Sequence, residues 1–301
     1  MGEQTKARIA VLLGNFFFGT SVIAVKQISP VLVPAIALTG IRVGVVCLLF
    51  WIMFLIKPIN TGFQKKDYWR LFICGVLGIT CNQTFSMIGM SMTSPIHASL
   101  LVLTTPITIS LFAAWFLKER WNTFKILGLC LGITGGAVLV FSRDLSAHAS
   151  AEQSTGDLFV ILGAVCYSSY IILVKPLMAK YSAVHILQWI FLFGAFFSIP
   201  IGWNDIQGIQ WHLFSLTNWL CMSYVVIGAT FLAYQLMNFG IKKLGASVTG
   251  SYIYTQPFFA TFASVLIFEE QINLSKMLAA LMIITGVFLT NFKNANDERI
   301  K

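Results

Sequence analysis

Ten runs of about twenty mostly apolar residues follow one another along this chain, a spacing that suits a bilayer and no water-facing core. Twenty helical residues cross a hydrocarbon layer of about 30 Å. The runs predict spans at 8–28, 33–56, 69–91, 95–117, 123–141, 157–178, 183–202, 217–240, 247–268 and 275–292, numbered 1 to 10 below. Charged residues make up 10% of the 301, against about 25% in a soluble domain, and mean hydropathy is +0.81. Lipid offers no partner to a bare backbone amide, and a barrel would alternate over segments of about ten residues, so the spans must be helices. The expected fold class is an all-α polytopic membrane protein of ten transmembrane helices.

The net charge of +9 would suggest a nucleic-acid partner in a soluble protein. Here its placement reports topology instead. Nearly every Lys and Arg in a loop or at a span end falls on one side of the ten-span layout, with only Arg143 and Lys276 on the other. That side is expected to be cytoplasmic, with both termini inside, and no nucleic acid is expected as partner. The six cysteines (47, 74, 81, 130, 166 and 221) lie within spans without a CxxC pair or a histidine at ligand spacing. They read as small packing residues, so no metal or cofactor is expected. No phosphate-binding GxxxxGK[ST] occurs, which excludes ATP-driven pumping by this chain alone. The first run reads as a retained span, not a cleaved leader.

The chain also repeats itself. At an offset of about 151 residues, Pro106 answers to Pro257, Glu119 to Glu270, Asn122 to Asn273 and Lys125 to Lys276. Ile133-Thr134-Gly135 answers to Ile284-Thr285-Gly286, Gly89 to Gly240 and, with two residues less, Val25-Lys26 to Val174-Lys175. The expected organisation is a first repeat over 1–141, an external linker over 142–156, a second repeat over 157–292 and a cytoplasmic tail over 293–301. Five spans per copy is an odd number, so the second copy must enter the membrane upside down. Inverted repeats are a signature of secondary transporters, with a substrate site between the halves near midplane.

Candidate site residues follow from polarity inside the spans. Pro106 and Pro257 sit near the middle of spans 4 and 9, where each leaves a carbonyl without its helical donor. Thr104, Thr105 and Thr108 cluster beside one, and Tyr252, Tyr254, Thr255 and Gln256 beside the other. These are expected gating kinks, though a kink satisfied by its own hydroxyls is an equal reading. Span 3 lines up Asn82, Phe85, Ser86 and Gly89; span 8 offers Phe231, Tyr234, Gln235 and Asn238; span 1 offers Asn15 and Gly19; span 6 offers Tyr167 to Tyr170. Such faces should point inward, to a cavity or to helix–helix hydrogen bonds. Arg42 lies roughly 13 Å deep at 1.5 Å per residue, where insertion costs at least ~2.5 kcal/mol. No carboxylate shares its depth, so it either braces the bundle through carbonyls, amides or water, or meets an anionic substrate group.

Coupling is not encoded as plainly. Glu119 and Glu270 fall at opposite membrane faces, and His97 and His185 near span ends, so a uniporter, an exchanger and a proton antiporter all fit. Gly128, Gly132 and Gly136 in span 5 form a doubled GxxxG, expected to pack helices or to join protomers of a homo-oligomer.

Phe18-Gly19-Thr20-Ser21 with Lys26, Arg42, the Pro106-to-Glu119 stretch with its copy, and both ITG motifs together resemble the EamA family of the drug/metabolite transporter superfamily. Phe18 stands where that family often has Trp. The resemblance implies inverted five-helix repeats, a cavity lined by spans 1, 3, 4, 6, 8 and 9, and export of amino acids or similar small metabolites across a bacterial inner membrane. Two other readings stay open: a non-transporting membrane receptor or scaffold, and an intramembrane hydrolase using Ser21 and His97. No enzyme activity is expected.

Overall fold

The computed structural model describes residues 2–29, 31–56, 58, 62–92, 101–141, 151–268 and 274–290. His97, Arg143, Glu270 and Asn273, and most of the linker, lie outside the described residues. Within them every regular element is helical. Six helices are long and apolar enough to cross a bilayer: Glu3–Val25, Ala35–Ile56, Lys65–Gly89, Ser154–Lys180, Ala183–Gln207 and Leu216–Leu244. Thr105–Leu117, Thr123–Phe141, Thr255–Phe268 and Leu274–Thr290 supply the other four places in the ten-span order. The outer surface is apolar, and polar side chains share the interior with apolar ones. Leu55, Phe196 and Leu216 are 75%, 72% and 76% exposed, while Asn15, Ser168, Asn238 and Thr249 are 0% exposed. Lipid is the solvent for the first group, and inside the bundle Asn15, Ser168 and Asn238 each donate to a carbonyl of their own helix. This is a multi-pass membrane protein.

Local chemistry sets the helix ends. Ser182 and Ser215 cap spans 7 and 8 by accepting from the amides of His185 and Asn218, both at 3.3 Å, and Asn122 caps span 5 by accepting from Lys125 at 2.7 Å.

Two pairs of irregularities recur at the repeat offset. Span 3 passes through a π-helical turn, Val76–Cys81, and span 8 through another, Tyr224–Leu232, so neither is the uninterrupted helix that hydropathy suggested. Each π turn carries a glycine, Gly78 in one and Gly228 in the other. In the second, the Thr230 hydroxyl donates to the Val225 carbonyl at 2.8 Å. Span 4 breaks at Leu103–Thr104, and span 9 at the 3₁₀ turn Tyr252–Tyr254. At these breaks Thr104 donates to the Leu101 carbonyl and Thr255 to the Tyr252 carbonyl, each at 2.6 Å. Pro106 and Pro257 therefore lie in the first turn of a new helix, where a missing amide costs nothing, and not in the middle of a kinked one.

The principal packing pairs cross from one copy to the other. Span 1 packs on spans 8 and 9, span 6 on spans 3 and 4, span 2 on span 7, and span 5 on span 10. A side chain on Gly128 would strike the Gly286 carbonyl, and one on Gly135 the Ala279 carbonyl. The repeat offset turns the first pair into the second, so the contact is self-complementary. Of the two uses expected for span 5, packing between helices is the one these contacts make. Its glycines are consumed within the chain, Gly128 by span 10, Gly132 by Gly286 and the ring of Tyr254, and Gly136 by Leu103.

Candidate functional site

The middle of the bundle holds a polar network built on Arg42. Its guanidinium grips one oxygen of Gln83, donating from Nε at 2.8 Å and from Nη2 as well. The Gln83 amide donates to the Tyr234 hydroxyl at 3.4 Å, and that hydroxyl donates to the Gly78 carbonyl at 3.3 Å. The acceptor belongs to the π turn of span 3, which supplies a reason for the turn. Tyr170 donates to Asn238 Oδ1 at 3.0 Å, and Asn238 donates on to the Tyr234 carbonyl at 2.8 Å. Among the described residues no carboxylate pairs with Arg42. The acceptor that meets its guanidinium is the amide oxygen of Gln83.

Aromatic rings wall this network. Phe18, Tyr170 and Phe191 stand 5.9, 6.3 and 5.2 Å from the Tyr234 ring, and Tyr167 stands 5.9 Å from Tyr170. Gly78 admits the Tyr170 ring, which a Cβ there would meet at 2.5 Å.

A second polar contact lies where span 1 meets the break of span 9. Gln256 donates to Asn15 Oδ1 at 2.9 Å, while Asn15 Nδ2 donates to the Val11 carbonyl at 2.8 Å and faces Met237 Sδ at 3.4 Å. Gly19 makes the approach sterically open, since a Cβ would come within 2.5 Å of the Gln256 carbonyl.

The structure thus brings Arg42, Tyr234 and Asn238 together with Tyr167 at their edge, and Asn15 with Gln256. It does not gather the remaining candidates. Asn82 donates to the Gly163 carbonyl at 2.9 Å and staples span 3 to span 6. Thr104 serves its own turn, and Gln235 donates to the Phe231 carbonyl on its own helix at 3.4 Å. Thr105 is buried, and Tyr252 packs with Val11, Met237 and Val287. Gln83 was missed by the helical-face reading of span 3, which followed Asn82. A usable signal existed, because Gln83 and Tyr234 are 151 residues apart, the repeat offset itself. An apolar groove lined by Ile41, Val45, Leu49, Trp211, Trp219 and Val226 contains none of these polar residues.

Two separate segments, residues 5–141 and 154–292, each match the EamA-like transporter family, and together they cover most of the chain. The chain belongs to this family. Relatives include the uncharacterized transporter YetK of Bacillus subtilis (strain 168), 23% identical over 297 residues covering 98% of this chain and 90% of that one. A chloroplastic WAT1-related protein of Arabidopsis thaliana is 22% identical over 304 residues, 98% of this chain and 72% of its own length. A solved crystal structure superposes with a TM-score of 0.80 over 95% of this chain and 96% of that one; at 19% identity it speaks for the fold alone. Family and relatives point to a transporter and not to an enzyme. Ser21, the residue behind the hydrolase reading, donates its hydroxyl to the Phe18 carbonyl of its own helix at 2.7 Å.

Proposed function

We propose that this family member is a secondary carrier that exports amino acids or similar amphipathic metabolites from a bacterium across its inner membrane. Its two copies sit in inverted topology with both termini in the cytoplasm, and alternating access occurs at a cavity between them. The observation that carries the reading is the Gln83–Tyr234 contact. Equivalent residues of two copies can touch only beside the axis that relates them, so this contact supports placing the axis at the polar network. The self-complementary contact of span 5 with span 10 supports the same axis.

Arg42 then has a role beyond bracing. Gln83 holds one edge of its guanidinium, and the remaining donors suit a planar carboxylate. The rings of Phe18, Tyr167, Tyr170 and Tyr234 offer an apolar wall for the rest of the solute. The paired breaks beside Pro106 and Pro257 are the hinges, because an interrupted helix can pivot without losing a full turn of hydrogen bonds.

Purified protein in proteoliposomes, offered a panel of metabolites with and without a pH gradient, tests this directly. Flux of monocarboxylates or amino acids with apolar side chains is expected. Transport of highly charged solutes alone would sink the amphipathic assignment, and no flux of any solute would favour the receptor or scaffold reading.

A further inference from the structure

One end of the bundle, where span 1 begins and spans 4 and 6 end, is closed by a carboxylate outside the polar network. Helix Thr105–Leu117 stops with Lys118 at φ 55°, and the Glu119 amide donates back to the Ala113 carbonyl at 3.1 Å. This left-handed cap, strained for a lysine, turns Glu119 out of the helix line toward the second copy. There its Oε1 receives the Lys175 ammonium at 2.5 Å and its Oε2 the Ser247 hydroxyl at 2.6 Å, with Lys125 of its own copy 3.6 Å from Oε2. Gly245 lines the cluster and takes φ 91°, a backbone conformation that favours glycine; a Cβ there would make only ordinary contact, 3.4 Å from Glu119 Oε1 and 3.6 Å from Lys175 Nζ. Just inside this cluster spans 4 and 9 close on each other, where a Cβ on Gly250 would meet the Ile109 side chain at 2.9 Å. Burial by itself would raise the Glu119 carboxyl, but hydrogen bonds from Lys175 and Ser247 and the charges of Lys175 and Lys125 outweigh it and hold it below the ordinary glutamate range.

We propose that Glu119 clasps this mouth shut, and that parting it from Lys175 and Ser247 is a required step of transport for every solute. The proposal rests on the carrier reading, under which this face is cytoplasmic. The chemistry suits a contact that must break in each cycle. Glu119 and Lys175 keep 22% and 30% of their side-chain surface, so water can resolvate both as they separate. Lys125 stays with Glu119 after the halves part, so the carboxylate is never left without a cation. The clasp ties the ends of spans 4, 6 and 9 through one side chain, and those spans include both helices that break beside the site.

The test needs no knowledge of the solute. Ser110, fully buried in span 4 with no partner for its hydroxyl among the described residues, is replaced by Cys in protein lacking the six native cysteines. Membrane vesicles then expose the clasp face to an impermeant maleimide. Slow labelling is expected with Glu119 intact. Glu119→Gln or Lys175→Met should raise the rate about tenfold, as a shift toward the open population would. Ser247→Ala should raise it less, and Glu119→Lys combined with Lys175→Glu should restore part of the protection lost in Lys175→Glu alone. Equal rates in all variants, or no recovery in the exchange, would overturn the clasp. Failure of the carrier reading shows separately, as absence of flux in the unmodified protein.

Discussion

Spans 4 and 9 break alike in their backbones and differ in what the breaks present. Thr104 and Thr255 close the two turns with the same hydrogen bond, at the same 2.6 Å, to equivalent carbonyls. One residue further on the match ends. Gln256 reaches across to Asn15 at 2.9 Å, whereas its counterpart Thr105 is buried, and Ala164 stands where the second copy would need an Asn15. The repeat therefore keeps the break and varies the contact, which is what the carrier reading asks of a hinge. A hinge used in both directions has reason to be symmetric, while recognition of one asymmetric solute has none.

The comparison can be broken by mutation, and the largest effect belongs to the shared scaffold. Gly128→Leu should abolish stable insertion, since its side chain would strike the Gly286 carbonyl; overpacking costs about 1–3 kcal/mol even where the neighbours can shift. Recovery of normally folded protein in detergent would show that spans 5 and 10 do not cross here. Next comes the asymmetric pair. Gln256→Leu leaves Asn15 Oδ1 buried without its donor, at about 1–3 kcal/mol. It should cut flux about tenfold at equal inserted protein, while Thr105→Val stays within about twofold. Equal losses in both would remove the distinction between hinge and contact.

Arg42→Lys should insert normally yet lose several-fold in affinity for a carboxylate solute, because an ammonium cannot hold Gln83 with one edge and a planar anion with another. Unchanged affinity would reduce Arg42 to a brace. Smaller still, Thr104→Val and Thr255→Val should each cost about 1 kcal/mol of thermal stability and by similar amounts. A large inequality would mean the two hinges are not equivalent. The least effect is on acid stability. The Glu119 carboxyl is held below its unfolded value, so its contribution is complete above about pH 4.3 and disappears only as pH falls through the lowered value. Melting between pH 8 and 5 should therefore not report this group, and Glu119→Gln should flatten the loss seen at more acid pH.

Hydropathy alone found the spans, because a run of Leu, Ile and Phe is visible whatever turn geometry it adopts. Span 5 is helical over 123–141, as expected, while span 6 extends to Ala151–Lys180 because polar residues such as Ser154 and Thr155 continue the helix beyond the apolar run. The π turns of spans 3 and 8 were invisible for the same reason: one extra residue per turn leaves hydropathy unchanged. The face drawn through Asn82 missed Gln83 for a different reason: both lie on the regular helix Asn82–Met92, where neighbouring residues stand about 100° apart around the axis. The prolines advertised the breaks but not their position, since Pro106 marks the start of a helix as readily as a kink. Arg42 was legible as an anomaly of depth. Its partner was not, because an amide oxygen carries no charge for composition to reveal.

The contact of Gln83 with Tyr234 has one more consequence under the carrier reading. A pair beside the axis has nearly the same surroundings whichever mouth is open. Altering it should move the energies of both end states together, changing how fast the protein turns over without tilting it toward either side. The Asn15–Gln256 pair has no such twin, and its removal should tilt the balance. Kinetics and bias are thereby assigned to different residues, one pair on the axis and one away from it.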